Sequence, residues 1–124
     1  MKRKLLVMLT LMLLVVSVVA MNVSADSGYF NYGCSSKTRL GAVYNGTGSN
    51  RTFSAKAVPT AGGTTHLELY DYNGAVKYAE GDYPLNPTNP GYTQCPIANG
   101  GYVSVYVRPI PNGTYISGKV YWAF

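Results

Sequence analysis

From residue 27 to the end of the chain, apolar and polar residues alternate in short runs, separated by Gly, Pro, Asn and Ser clusters. A period of two with frequent turn residues predicts strands of a sandwich or barrel. Gly28–Gly33 reads as a first aromatic strand and Thr38–Tyr44 as a second that ends at Asn45-Gly46. Arg51–Val58 reads as a third, with Phe53, Ala55 and Ala57 on one face, and Pro59–Thr64 as a turn. His66–Tyr72 and Ala75–Ala79 flank Asn73-Gly74, which predicts a two-residue type I′ hairpin. That register puts Leu67, Leu69, Val76 and Tyr78 in the core. It puts His66, Glu68, Tyr70, Tyr72 and Lys77 on the opposite face. Pro84–Pro96 holds four prolines and cannot be a central strand. Two strands close the chain. Val103, Val105 and Val107 face inward in Tyr102–Arg108; Ile116, Gly118, Val120, Trp122 and Phe124 do so in Thr114–Phe124.

The first 25 residues follow a different pattern. Lys2, Arg3 and Lys4 precede an apolar run, Leu5–Ala20, broken only by Thr10 and Ser17. Val23-Ser24-Ala25 then offers small residues before Asp26, with Val18-Val19-Ala20 as a second cleavage option. This predicts a signal peptide over 1–25 and a β-sandwich domain over 26–124. The rival reading, a retained anchor, needs ~20 apolar residues. The expected product is secreted and meets a membrane only through its signal peptide.

Setting the leader aside changes the charge. Of 10 Lys/Arg, three are in the leader; the other seven face five acids, a net of +2. So weak a positive charge argues against nucleic acid as a partner. All 12 Tyr lie after residue 26, and Tyr, Val and Thr outweigh helix formers. The expected fold is an all-β, small antiparallel β-sandwich, immunoglobulin-like or related. Cys34 and Cys95 are the only cysteines, and in an exported chain they predict a disulfide. Its loop of about 60 residues is worth ~4 kcal/mol in the chain-entropy model. A reactive thiol or metal pair is the alternative, but neither Cys has a His or second Cys nearby in sequence.

Signals for catalysis are thin. His66 is the sole histidine and shares a strand face with Glu68, a spacing common for a solvated pair. No Gly-x-Ser-x-Gly motif is present. Asp71, Glu80 and Asp82 form the one acidic cluster, yet none has an apolar setting that would raise its pKa for hydrolysis. Asp71-Tyr72-Asn73-Gly74 lacks the ligands of a calcium loop. Asn45, Asn50 and Asn112 begin Asn-x-Ser/Thr triplets that read first as turns. No enzyme, cofactor or metal is expected.

Tyrosine is the feature that stands out. Parity puts Tyr102, Tyr106, Tyr115, Lys119 and Tyr121 outward, and Tyr70, Tyr72 and Lys77 outward on the hairpin. Outward Tyr beside Lys or Arg makes an amphipathic surface suited to sugar rings, another protein or headgroups. The competing reading is that Tyr simply favours strands and pairs across them.

Gly28-Tyr29-Phe30-Asn31-Tyr32, Ser36-Lys37-Thr38, Val43, and Asn45 to Gly48 resemble the lactococcin 972-type bacteriocins, as does the aromatic end Lys119–Phe124. The Cys pair and the middle section, 59–100, lie outside that pattern. The resemblance implies an exported, non-enzymatic antiparallel β-sandwich that acts on the envelope of competing bacteria. The expected partner is an envelope glycan, a wall precursor or a surface protein, bound through the Tyr/Lys/Arg surface. The alternatives are a matrix or surface-coat protein that self-associates through its Tyr face or an edge strand, a carbohydrate-binding module, a protease inhibitor using the Pro84–Pro96 loop, and a hydrolase.

Overall fold

The computed structural model describes residues 26–86 and 91–124; the predicted signal peptide and part of the proline-rich loop lie outside them. Eight strands form: β1 (Ser27–Cys34), β2 (Thr38–Tyr44), β3 (Arg51–Ala61), β4 (Thr64–Tyr70), β5 (Lys77–Tyr83), β6 (Thr93–Ile97), β7 (Tyr102–Ile110) and β8 (Ile116–Ala123). They build two four-stranded antiparallel sheets, ordered β1-β8-β3-β6 and β2-β7-β4-β5, packed face to face. Between the sheets lie Phe53, Ala55, Ala57, Ile116 and Val120 from one, and Leu67, Leu69, Val103, Val105 and Val107 from the other. Phe124 and Trp122 close one end against Phe53, at 5.1 and 6.0 Å between ring centroids.

Two buried hydroxyls tie the layers. Tyr32 on β1 and Thr65 on β4 share a hydrogen bond of 2.7 Å, and Tyr83 on β5 donates to the Ala55 carbonyl of β3 at 3.2 Å. Asn45 fixes one end of the sandwich. Wholly buried, it donates from Nδ2 to the Ser49 and Ile97 carbonyls, both at 3.0 Å. Its Asn-Gly-Thr triplet is therefore a structural turn, with no amide free to carry a glycan.

Three expectations need correction. First, the hairpin turn is longer than two residues. Gly74 has φ 73° but Asn73 does not have a positive φ, and the Asp71 carboxylate accepts the Ala75 and Val76 amides at 2.7 and 3.1 Å. Tyr70 does pair with Lys77, but a bulge then sets Leu69 opposite Ala79. The extra residue, Tyr78, is turned outward and the parity of β5 flips. Leu67 and Leu69 are in the core; Val76 and Tyr78 are exposed. Second, β3 runs through Pro59 to Ala61. β6 pairs β3 only as far as Ala55, so Pro59 sits where β3 has a free side. The turn contracts to Gly62-Gly63, and Gly62, at φ 90°, would drive a Cβ to 2.1 Å from the Tyr115 carbonyl.

Third, Cys34 and Cys95 are free thiols. Cys34 is on β1 and Cys95 on β6, the two opposite edges of one sheet. Cys34 pairs with Ile116, whereas Cys95 pairs with Phe53, beyond the row of Ala55 and Trp122. They are diagonal corners, roughly 14 Å apart across the sheet and about 26 Å along it. A bridge needs Cα atoms within about 7 Å. The buried Cys95 thiol is pushed up to about 11 by desolvation.

Two outcomes follow from these contacts. Denatured protein should titrate two thiols without prior reduction, and dithiothreitol should leave the unfolding midpoint of the native protein unchanged. Tyr32→Phe should cost about 1–3 kcal/mol in urea unfolding, because Thr65 is left buried without its partner.

Candidate functional site

The outward tyrosines do not share one surface. Tyr115, Lys119 and Tyr121 belong to the outer face of the β1-β8-β3-β6 sheet. Tyr70, Tyr72, Tyr102, Tyr106 and Lys77 belong to the β2-β7-β4-β5 side, across the sandwich. The two faces differ in chemistry as well as position.

On the β2-β7-β4-β5 side, cross-strand rows place Arg39, Tyr106, Glu68 and Glu80 in line, with Arg108, His66 and Asp82 in the next row. β4 is a central strand, so its outer side chains are covered by neighbours. His66 is 7%, Glu68 4% and Tyr70 9% exposed, where the sequence predicts an open face. A buried carboxylate is costly unless it is paired. Glu68 accepts from Tyr70 Oη, from Arg108 Nε at 3.2 Å and from Lys37 Nζ at 3.2 Å. Burial alone would raise its pKa, but bonds from Tyr70, Lys37 and Arg108 outweigh that and hold it down at about 2. His66 Nδ1 faces Asp82 Oδ1 at 2.5 Å, and its Nε2 lies 3.2 Å from Glu80 and 3.3 Å from Glu68. Lys77 binds Glu80 at 2.8 Å, which holds that carboxyl below its usual range.

His66, Glu68 and Glu80 bring one donor atom each within 4.8 Å, the grouping a divalent ion would use. Yet three cations already face the carboxylates of Glu68, Glu80 and Asp82: Lys37 and Arg108 pair with Glu68 and Lys77 with Glu80, while Asp82 is held by His66. A divalent cation there would add unmatched positive charge. A glycosidase pair also needs one carboxyl held protonated. Glu68 and Glu80 are both shifted the other way. The arrangement is that of a closed ion network.

That network also occupies two of the candidate rings. Lys37 Nζ stands 4.5 Å over Tyr70 and 5.2 Å over Tyr106, and those rings meet edge-on at 5.0 Å. Tyr72 and Tyr102 remain open and gather with Tyr44, each about half exposed, at 5.0 Å spacings. Arg39 stacks on Tyr72 at 5.4 Å.

The other face is simpler. One row aligns Tyr29, Tyr121 and Lys56; the next aligns Asn31, Lys119 and Val58. Lys119 Nζ stands 4.6 Å over Tyr29, Tyr29 and Tyr121 are 6.1 Å apart, and Lys56 Nζ stands 5.0 Å over Tyr92. Tyr29, Tyr121 and Tyr92 are 55, 41 and 55% exposed. Tyr115 lies further along, over Gly33. Among the described residues, neither Lys56 nor Lys119 has a carboxylate within ion-pair reach. Sequence parity reached Lys119, Tyr121 and Tyr115 here. It missed Tyr29 and Lys56, which join them through strand pairing, and Tyr92, which precedes β6 and joins through Lys56.

Charge is therefore segregated. The β2-β7-β4-β5 side carries Lys37, Arg39, Lys77 and Arg108 against Glu68, Asp71, Glu80 and Asp82, a net of zero. The β1-β8-β3-β6 side carries Arg51, Lys56 and Lys119 against Asp26 alone, at the corner where β1 begins. The whole net charge of +2 after residue 25 resides there.

Comparison with protein-family models, with curated proteins and with solved structures finds no match.

The pH dependence of the network is testable. Glu68 has a folded pKa below its ordinary 4.5, so its stabilisation is full above pH 4.5 and lost as pH falls toward 2. The loss is about 3 kcal/mol over that window. Glu68→Gln should flatten this part of the stability–pH curve and lower stability at pH 7 by a similar amount, read by urea unfolding at successive pH values.

Proposed function

We propose that the exported chain is a non-enzymatic binding domain on an immunoglobulin-like or related sandwich, and that it docks through its β1-β8-β3-β6 face onto an anionic glycan of the bacterial envelope. The observation that carries this reading is the segregation of charge: an open Tyr/Lys stripe with no acid inside it, opposite a face whose cations and acids are equal in number. Each part of the stripe matches a part of such a ligand. Tyr29, Tyr121 and Tyr92 offer ring faces and hydroxyls at low entropy cost, as sugar rings require. Lys56 and Lys119 sit over those rings and meet the phosphate or carboxylate groups. The leader is the reason to place the partner outside the cell, and the lactococcin 972-type resemblance implies that binding ends in growth inhibition of a competing bacterium. A second reading, a carbohydrate-binding module, is favoured by the exposed Tyr44–Tyr72–Tyr102 group on the opposite side.

Pull-down of the mature chain on isolated cell walls, before and after extraction of their anionic polymer, separates these. Basic residues at an anionic surface contribute about 1 kcal/mol each, so Lys56→Ser with Lys119→Ser should weaken binding by roughly 30-fold at low salt. Extraction should have the same effect. Binding that survives both but is lost with Tyr102→Ser refutes the basic face and supports the second reading.

A further inference from the structure

The sandwich has four edge strands, and three of them are guarded against pairing. β2 carries a bulge between Arg39 and Gly41. β5 carries Lys77, Glu80 and Asp82 and the bulge at Tyr78. β6 is five residues long and includes Pro96. Bulges, charge, proline and short length are the devices that keep an edge from recruiting another chain. β1 has none of them. Its eight residues, Ser-Gly-Tyr-Phe-Asn-Tyr-Gly-Cys, hold no charge and no proline, and they pair with β8 in unbroken register. Its other side has no strand partner among the described residues.

We infer that β1 is a self-association edge, which pairs antiparallel with β1 of a second copy to make one continuous eight-stranded sheet. An uncharged strand opposed to itself meets no like-charge repulsion, so the edge is self-complementary. A two-fold axis perpendicular to the sheet is the operation that sets two such edges side by side. That axis keeps both outer faces on the same side. The Tyr29–Lys119–Tyr121–Lys56 stripes of the two copies then adjoin, and a polymer lying across them is gripped twice. The pairing itself does not depend on the ligand proposed above.

Sedimentation velocity of the mature chain over a concentration series, without ligand, tests this. A monomer–dimer equilibrium is expected, and the dimer should be lost in Asn31→Lys, which sets charges near the axis on an exposed position. Gln94→Lys adds the same charge to the opposite edge, β6, and should leave the dimer intact. Circular dichroism checks that both variants fold. A wild-type chain that stays monomeric up to about 1 mM overturns the inference. So does a dimer that Gln94→Lys disrupts and Asn31→Lys spares.

Discussion

The burial of one carboxylate organises the surface of this protein. Glu68 lies on the outer side of β4, a strand flanked by β5 and β7, so water cannot solvate it. A charge removed from water costs several kcal/mol, and only converging donors offset that. Here they come from three directions: Lys37 from the β1–β2 connection, Arg108 from β7 and Tyr70 from β4 itself. Drawing Lys37 inward lays it over Tyr70 and Tyr106, which turns two outward tyrosines into walls of the ion network. The same convergence uses the cations of that sheet against its own acids. What remains for the exterior is the small positive excess on the far sheet. The open Tyr/Lys stripe is thus the counterpart of a closed network on the opposite side.

Seven of the eight strands were legible in the sequence because alternation is a property of each strand alone. β6, Thr93–Ile97, was not, because the prolines in and before it read as a loop, and Pro96 is tolerated only because β6 is an edge strand. Thr38–Tyr44 matches β2 residue for residue, and Val103, Val105 and Val107 lie inward as their parity requires. Parity says which side of its own sheet a residue faces. It does not say which sheet the strand joins. Consecutive strands here alternate between layers, and β4–β5 is the one pair of chain neighbours that also pair in a sheet. Hence Tyr106 and Tyr121 share an outward parity and yet lie on opposite sides of the molecule. The same blindness explains the cysteines. Compartment argues for a bridge, but only the order β1-β8-β3-β6 reveals that the thiols sit at diagonal corners. At the hairpin the competing force was local: Asp71 captured two backbone amides and lengthened the turn that Asn-Gly alone would have closed.

This crossing topology bears on when the basic face exists. Tyr121 and Lys119 lie on β8, the last of the eight strands in chain order, and its row partners are β1, the first, and β3. Ser27 pairs with Ala123, and Tyr29 meets Tyr121 only through that pairing. No partial chain can carry the stripe, because without β8 the strand β1 has no neighbour and Lys56 no tyrosine row beside it. The β4–β5 hairpin, by contrast, needs only local closure, and it already brings His66 together with Glu80 and Asp82. Local pairs form before distant ones repay their loop entropy. The acidic hairpin is therefore placed to form early, and the β1-β8-β3-β6 sheet last, once β1 and β8 have met. A fold built this way presents the open Tyr/Lys stripe only when it is complete. An edge as unguarded as β1 is correspondingly tolerable, since the flat strand it offers does not exist until β8 has docked beside it.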